Sequence, residues 1–237
     1  MNKKIKNIVV IPTYNEKQNI GQLIEMIFKI LPQIHILVVD DNSPDGTGDI
    51  VKNLQKRFPN LNLLIRKKKE GLGKAYISAF EEVIKDSDVE SVIMMDADFS
   101  HSPFYLPLML GASKEFDVVV GSRYAGGGET IGWELWRRLL SRWGNFYAQM
   151  ITRLPTADCT SGFNLIKTNF LKNVDFLKID ASGYAFQIEL KYLLWKNKAR
   201  FQELPIVFKN RISGESKISN HIILEGILAP WKMILKK

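Results

Sequence analysis

The sequence predicts an α/β fold in which helices flank a mostly parallel sheet. Short β-branched apolar runs alternate with segments in which apolar residues recur at helical spacing. Of the 237 residues, 46% are hydrophobic and 24% are charged, as in globular proteins. No linker or internal repeat interrupts the chain. We therefore expect a single domain over 1–237, which is an ordinary length for one α/β domain.

The predicted elements alternate regularly in the first half of the chain. Apolar runs predict strands at 5–11, 34–39, 61–65, 89–95 and 118–120, and helical spacing predicts helices at 19–31, 48–58 and 74–84. The second half predicts helices at 135–151 and 183–196, a strand at 201–208 and an apolar C-terminal helix at 218–235. Because ligands of such sheets bind beyond the carboxyl ends of the strands, we expect the segments that follow the strands to converge.

The charge and the cysteine content restrict the partners and the compartment. A formal net charge of +8 favours phosphorylated small molecules, an anionic membrane surface or nucleic acid. The aromatic residues form no evident base-stacking platform, so we expect no nucleic-acid partner. Cys159 is the only cysteine, and the sequence has neither a signal-peptide core nor a run of about 18 apolar residues. We therefore expect a cytoplasmic protein, peripheral on the cytoplasmic face of a membrane.

Two acidic side chains, Asp96 and Asp98, follow the apolar run at 89–95. Carboxylates at this spacing can reach one cation, and Mg²⁺ and Mn²⁺ prefer such oxygen ligands, completed by water and substrate phosphates. The alternative is a pair of solvated loop acids, but the position at the end of a buried strand favours a metal site. His101 is close in sequence and is either part of this site or structural.

Two more segments after predicted strands offer side chains for a ligand. In PTYNE, at 12–16, the proline and the aromatic ring could bracket a nucleobase that Glu16 reads, or the segment is only a loop before a helix. In VDDNSPDGT, at 39–47, residues 42–47 are typical of a turn, whereas Asp41 is not needed for the turn and could bind a ribose or a base. We interpret the lysine-rich segment 67–74 mainly as a solvated loop.

Several basic side chains stand at the ends of predicted elements. Arg123 follows a strand, Arg137 and Ser141 are one helical turn apart, and Arg211 and Lys217 lie in a polar loop. The planar fork of arginine matches phosphate geometry, so two or three of these side chains above Asp96 and Asp98 would form an anion-binding cleft.

The predicted helix at 135–151 has two distinct faces. The apolar face carries Trp136, Leu139, Leu140, Trp143, Phe146, Tyr147 and Met150, and the polar face carries Arg137, Arg138, Ser141, Arg142 and Asn145. With Trp133, Trp136 and Trp143 close together, the apolar face suits a membrane interface, and packing on the core is the alternative. The same two interpretations stay open for the segment 218–235.

Eight motifs occur in a recognisable order: PTYNE (12–16), VDDNSPDGT (39–47), DADFSH (96–101), GSRY (121–124), WRRLLSR (136–142), DCTSGF (158–163), GYAFQ (183–187) and RISGESK (211–217). This order resembles family 2 glycosyltransferases and, more narrowly, the dolichol-phosphate (polyprenol-phosphate) mannosyltransferases. The resemblance covers nearly the whole chain. It implies a GT-A (Rossmann-like) fold, GDP-mannose as donor and a polyprenyl phosphate as acceptor.

The resemblance also implies roles for individual residues, which we name by their matching positions. Donor binding would involve Pro12, Tyr14, Glu16, Val39, Asp41, Ala97, Arg211 and Lys217; Asp96 and Asp98 would hold Mg²⁺ or Mn²⁺; Arg123, Arg137 and Ser141 would bind the acceptor phosphate. Asp96, Asp98, Arg123 and Arg137 would be the catalytic residues. Two positions depart from the family: Ser100 replaces a glutamine that serves some relatives as a third metal ligand, and Asn164 replaces a frequent arginine.

A lipid phosphate would need no general base, because its second pKa is near 6 and it is already an anionic nucleophile. The sequence contains no convincing base with an orienting partner, as a hydroxyl acceptor would require. We therefore expect inversion by direct displacement. The alternatives are the same fold with UDP-glucose or another acceptor, a nucleotidyltransferase, or a basic nucleic-acid-binding module. A separate membrane subunit could anchor the chain.

Overall fold

The computed structural model describes residues 5–179, 183–210 and 220–235. Nine strands and eight α-helices are described in these ranges. In chain order they are β1 (Lys6–Thr13), α1 (Ile20–Ile30), β2 (His35–Asp40), α2 (Thr47–Gln55), β3 (Leu61–Ile65), α3 (Leu72–Val83), β4 (Val89–Met94), α4 (Leu106–Ala112), β5 (Val118–Ser122), β6 (Glu129–Ile131), α5 (Leu135–Thr152), β7 (Asn164–Lys167), α6 (Thr168–Leu171), α7 (Gly183–Lys196), β8 (Phe201–Pro205), β9 (Val207–Lys209) and α8 (Asn220–Leu235). Short 3₁₀ turns lie at Pro103–Tyr105 and Phe176–Lys178.

A seven-stranded sheet forms the centre of the molecule, in the order β3-β2-β1-β4-β7-β5-β8. The pairs among β3, β2, β1 and β4 are parallel, and so is the pair β5–β8. Strand β7, which the sequence pattern did not predict, runs antiparallel to both of its neighbours. The prediction of a mostly parallel sheet flanked by helices is confirmed. Strands β6 and β9 pair separately as a small parallel ribbon.

The two faces of the sheet are covered by different helices. Along β1, Val9 and Ile11 pack into one core with α1, whereas Val10 packs into the other core with α3 and α7. Strands β2 and β4 alternate in the same way. Because successive side chains of a strand point to opposite faces, this alternation shows that both faces are buried. Continuous apolar runs, without alternating polar residues, therefore predicted these strands correctly.

Strand β1 continues through Pro12, although the sequence pattern predicted that it ends there. The carbonyl of Val10 accepts from Met95 on the β4 side, and the carbonyl of Thr13 accepts from Asp41 on the β2 side. The nitrogen of Pro12 therefore faces the β4 side, where the pairing of β1 with β4 has already ended at Met94. A proline is tolerated there because no ladder hydrogen bond is lost.

The predicted strand at 201–208 is two strands in two different sheets. Pro205 ends β8. The N–H of Ile206 still donates to Ser122 of β5, but its carbonyl accepts from Glu129 of β6, and Val207 donates to the hydroxyl of Tyr105 (2.8 Å). This change of partner brings β9, with Phe208, over the end of the sheet.

Helix α5 is oriented with its polar side inward. Its buried residues are Asn145, Ala148 and Thr152, whereas the apolar residues Trp136 (56% exposed) and Trp143 (67% exposed) face outward. Leu139, Leu140, Phe146 and Met150 are also exposed. The alternative that this apolar face packs on the core is therefore wrong for these residues. In the described ranges, no helix is long and apolar enough to cross a membrane.

A test of the packing at the sheet is the substitution Gly121→Ala in β5. A Cβ atom at this position would lie 2.8 Å from Cδ1 and 3.2 Å from the carbonyl oxygen of Phe163, so strand and ring would have to separate. We expect a loss of about 1–3 kcal/mol in the free energy of unfolding, measured by urea denaturation. The control is Gly111→Ala in α4, where a Cβ meets nothing within 4 Å and helix propensity should improve. Equal stability of the two variants would contradict this packing.

Candidate active site

A pocket of about 280 Å³ opens at the carboxyl ends of β1, β2 and β4. Its walls come from the segments that the strand order was expected to bring together, and from the start of α3. The lining residues are Pro12, Thr13, Tyr14, Glu16, Asp41, Lys69, Gly71, Leu72, Ala75, Asp96, Ala97 and Asp98. The expected convergence of 12–16, 40–41 and 96–98 is therefore present.

The two adjacent acids after β2 have different tasks. Asp40 holds the turn: its carboxylate accepts from Thr13 Oγ1 (2.8 Å) and from the backbone N–H of Ser43 (2.9 Å). Asp41 lines the pocket and accepts from Arg66 Nη1 at 2.7 Å, with both side chains buried. Burial raises the pKa of Asp41, and the charge of Arg66 only partly offsets this. Asp41 is thus a buried carboxylate with one cation partner on the pocket wall.

Lys69 lies at the mouth of the pocket. Its ammonium group is 3.9 Å from the centre of the Tyr14 ring, a cation–π contact, and Glu70 beside it accepts from Arg66 Nη2 (2.8 Å). Lys69 is exposed, as expected of the solvated segment 67–74, and it also lines the pocket. Gly71 is in the left-handed region (φ 96°), which allows the loop to turn into α3 beside the pocket.

Asp96 and Asp98 line the opposite wall of the pocket, directly beyond β4. Asp98 Oδ1 accepts from the N–H of Ser100 (3.0 Å), and His101 Nδ1 accepts from the N–H of Asp96 (3.2 Å). Burial lowers the pKa of His101, and the charge of Asp96 opposes this. His101 is therefore neutral and has a structural role: by accepting this bond at Nδ1 it holds the backbone of Asp96 in place.

The carboxylates of Asp96 and Asp98 could bind a hard divalent cation if a bound substrate supplied further oxygen ligands. The described residues contain no cluster of three His, Cys, Asp or Glu side chains that could hold a metal. Two carboxylates on a pocket wall match Mg²⁺ or Mn²⁺ sites that substrate phosphates and water complete. Ser100 Oγ is buried and has no hydrogen-bond partner in the described structure, so a polar atom next to the pair is still available.

Phe208 of β9 lies between His101, which bonds the backbone of Asp96 on the pocket wall, and a group of basic side chains. It contacts the ring of His101 edge-on (5.5 Å between centroids) and the ring of Trp133 (5.5 Å). The guanidinium of Arg123 also lies 5.5 Å from the centre of Phe208. The basic group is therefore connected to Asp96 through the rings of Phe208 and His101.

Arg123 is held by the completely buried carboxylate of Asp158. Its Nε and Nη2 donate to the two oxygens at 2.8 and 2.6 Å, and Nη2 also donates to Thr160 Oγ1 (2.7 Å). Burial by itself raises the pKa of Asp158, but the charge and hydrogen bonds of Arg123 outweigh this and keep the pKa below 3.8. The ion pair is thus present throughout the neutral range and weakens only in strong acid.

Arg137 and Ser141 lie on the inward side of α5, near Arg123. The guanidinium of Arg137 stacks on Trp133 (4.2 Å to the ring centre), and Arg137 Nε is buried without a hydrogen-bond partner in the described residues. Ser141 Oγ accepts from the hydroxyl of Tyr124 (2.7 Å). Trp133, which precedes the helix, therefore faces the basic group and not the apolar outer side of α5.

Lys191 of α7 was not predicted. It is fully buried and donates to the carbonyls of Cys159 (3.2 Å) and Ser161 (2.7 Å). Burial lowers its pKa to about 8, against the attraction of Asp158. Burial also raises the pKa of the Cys159 thiol to about 12, although the charge of Lys191 opposes this. The cysteine therefore stays protonated.

Three of the predicted donor residues do not line the pocket with described side chains. Val39 pairs with Pro12 in the sheet and buries its side chain in the core, so any contact with a ligand would come from its backbone. Arg211 and Lys217 lie outside the described residues.

The site residues that the sequence pattern missed are Lys69, Asp158, Gln187 and Lys191. Lys191 lies in the mainly apolar helix α7, and a buried lysine has no periodic signal. Gln187 belongs to the GYAFQ motif, which carried no predicted role for it. Asp158 belongs to a motif that resembles the family but carried no predicted role. Its task is visible only from its partner, Arg123, which is 35 residues away.

Comparisons with known proteins agree on the type of fold and on the relatives. The model of the family described as "Glycosyl transferase family 2" matches residues 8–175. Undecaprenyl-phosphate mannosyltransferase of Micrococcus luteus is 35% identical over 221 residues, which cover 93% of this chain and 90% of that protein. Polyprenol monophosphomannose synthase of Mycolicibacterium smegmatis is 37% identical over 231 residues, which cover 95% and 86%.

Solved structures support the fold alone, because their sequence identities are low. Glucosyl-3-phosphoglycerate synthase from Mycobacterium tuberculosis, in complex with Mg²⁺ and UDP, matches with a TM-score of 0.68 and 16% identity, over 96% of this chain and 78% of that one. Mannosyl-3-phosphoglycerate synthase from Rubrobacter xylanophilus matches with a TM-score of 0.65 and 16% identity, over 97% and 72%. The fold is therefore of the GT-A type that the sequence resemblance implied.

The two inward arginines should differ in what they contribute to stability. Arg123→Met leaves Asp158 as a buried charge without its bidentate partner, so we expect a loss of about 3 kcal/mol or more in the free energy of unfolding. Arg137→Met removes mainly the contact with Trp133, worth about 1 kcal/mol or less. Urea denaturation followed by tryptophan fluorescence measures both. Equal losses would contradict the described pairing of Arg123.

Proposed function

Because this chain belongs to glycosyltransferase family 2, we propose that it transfers mannose from GDP-mannose to the phosphate of a polyprenyl phosphate, with inversion and with a divalent metal. The observation that carries the proposal is the pairing of two sites: an acid-lined pocket, and a group of arginines connected to it through the rings of Phe208 and His101. The relatives from M. luteus and M. smegmatis, whose names describe polyprenyl-phosphate mannose transfer, support the choice of sugar and acceptor.

The nucleoside would bind between β1, β2 and the start of α3. Pro12 and Tyr14 offer a flat wall for a base, and Glu16 can accept hydrogen bonds from the N–H groups of a guanine edge. Asp41, held by Arg66, can accept from the ribose hydroxyls. Lys69 lies on Tyr14 where a base would stack, so it has to move when the donor binds and is then free to approach the phosphates.

The diphosphate would lie at Asp96 and Asp98, the residues that would hold Mg²⁺ or Mn²⁺. The cation would neutralise charge on the departing GDP. His101 keeps the backbone of Asp96 in place by accepting its N–H bond. Ala97, buried between the two acids, allows both carboxylates to face the pocket without a bulky side chain. Arg211 and Lys217 would meet the donor phosphates by motif resemblance.

The acceptor phosphate would be bound by Arg137 and Ser141, with Arg123 behind them. Arg137 lies flat on Trp133 and has a buried N–H group without a partner among the described residues, as expected of a side chain that binds an anion. Arg123 is positioned by Asp158 and adds positive potential. These residues would hold the phosphate oxygen in line with the anomeric carbon, and that oxygen needs no base because it is already ionised.

The outward side of α5 would bind the membrane that contains the acceptor. Exposed apolar side chains of α5 and α8 form one surface, which we call the apolar outer surface. Its members are Trp136, Leu139, Leu140, Trp143, Phe146 and Met150 of α5 and Leu228, Trp231, Ile234 and Leu235 of α8. Trp231 Nε1 donates to the hydroxyl of Tyr147 (2.8 Å), which joins the two helices. Exposed arginines flank it at 138 and 142, as in helices that lie on anionic lipid.

The transfer itself is tested with labelled mannose. We expect transfer from GDP-mannose to a polyprenyl phosphate in detergent micelles, no transfer with EDTA, and recovery after Mg²⁺ or Mn²⁺ is added. Asp98→Asn should lower turnover by about a hundredfold or more, because the metal contributes several kcal/mol.

The matched control is Asp49→Asn, an exposed acid of α2, which should keep full turnover. Arg137→Met should still bind GDP-mannose in a titration but lose transfer. Faster transfer from UDP-glucose than from GDP-mannose would contradict the proposed donor. Full turnover in EDTA would contradict the proposed requirement for a metal.

Membrane binding is tested by co-sedimentation with vesicles of phosphatidylcholine and phosphatidylglycerol. The double variant Trp136→Glu, Trp143→Glu should lower the bound fraction by at least about tenfold, because charged side chains replace two aromatic anchors. Leu177→Glu, at a 95% exposed leucine that is not part of the apolar outer surface, should leave binding unchanged. The interpretation fails if both variants sediment like the wild type.

A further inference from the structure

Gly162 leaves a small open space beside the Asp96 carboxylate. A Cβ atom at this glycine would lie 3.8 Å from Asp96 Oδ2, 3.7 Å from His101 Cε1 and 3.7 Å from Gln187 Nε2. None of these distances is a clash, so a methyl group would fit where the protein has no atom. The space therefore has a carboxylate on one side and a side-chain amide on another.

The amide of Gln187 has a fixed orientation. Gln187 Oε1 accepts from Asn164 Nδ2 (3.2 Å), which also donates to the carbonyl of Ser161 (2.9 Å). Rotating the Gln187 amide would bring two N–H groups together, and rotating Asn164 as well would turn its oxygen against that carbonyl. Lys191, which donates to the same carbonyl (2.7 Å), holds the series in place. Gln187 Nε2 must therefore point away from Asn164.

The amino group of Gln187 has no acceptor among the described residues. Gln187 is only 2% exposed, and its Nε2 atom is buried without a hydrogen-bond partner in the described part of the chain. Buried polar groups are nearly always paired, and the exceptions tend to serve a ligand. Here the unpaired donor lines the open space at Gly162, next to the end of the pocket where the donor sugar would leave its diphosphate.

We propose that Gln187 is a specificity-determining residue that donates a hydrogen bond to a hydroxyl group of the donor hexose. A sugar hydroxyl can accept one hydrogen bond and donate another, so the Gln187 amide and the Asp96 carboxylate form a matching pair for it. Gly162 provides the room that the hydroxyl needs. This inference rests on the proposed function, in which the pocket binds a nucleoside diphosphate sugar.

The experiment compares a nucleotide with its sugar derivative. GDP and GDP-mannose are titrated calorimetrically, with Mg²⁺, into the wild type, Gln187→Met and Gly162→Ala. Gln187→Met should weaken GDP-mannose binding by roughly three- to tenfold, the value of one hydrogen bond, and leave GDP binding unchanged. Gly162→Ala fills the space without a steric clash, so it should weaken GDP-mannose alone and keep the melting temperature of the wild type.

The control is Gln202→Met, at an exposed glutamine of β8, which should change neither affinity. Equal weakening of GDP and GDP-mannose in both test variants would assign Gln187 a structural task and overturn the inference, as would unchanged affinity for both ligands. A wild type that binds UDP and UDP-glucose instead would overturn the proposed donor. The same comparison made with that pair would then still decide for or against Gln187.

Discussion

The buried charge of Asp158 is the interaction on which both candidate sites depend. A carboxylate with no exposed surface is stable only beside cations. Arg123 supplies three hydrogen bonds, two from its side chain and one from its backbone N–H, while Lys191 adds a second positive charge nearby. Arg123 thereby becomes a fixed element of the basic group. Lys191 fixes the carbonyl of Ser161, and through Asn164 it fixes the amide of Gln187. Asp158 and its two neighbouring cations therefore order both the arginine side and the buried amide beside Asp96.

Helix α5 joins the chemistry to the lipid in the proposed function. An amphipathic helix of a globular protein normally buries its apolar side, but α5 turns Arg137, Ser141 and Asn145 inward and Trp136 and Trp143 outward. A helix is about 10 Å across, and an interfacial helix sinks about 5–10 Å into the headgroup region. In the proposed function, one helix would thus contact the membrane with its outer side and the acceptor phosphate with its inner side.

Sequence patterns predicted the structure correctly where it depends only on residues that are close in the sequence. The apolar runs of β1, β2 and β4 were predicted correctly because strands buried on both faces have no polar side. Residues 42–47 form the predicted turn, in which Asp45 accepts from the N–H and hydroxyl of Thr47. Patterns failed where a distant residue decided: the segment 201–208 divides because Glu129 bonds the carbonyl of Ile206 and Tyr105 accepts the N–H of Val207.

The sequence by itself determined the elements of the parallel sheet and the convergence of Pro12, Asp41 and Asp96 on one edge, because strand periodicity is local and parallel strands end on the same side. Its motifs also pointed to the family. Tertiary structure alone decided which face of α5 points outward, which acid holds Arg123 and where the amide of Gln187 points. These outcomes depend on contacts such as Arg123 with Asp158, whose partners lie 35 residues apart and become neighbours only when the whole sheet has formed.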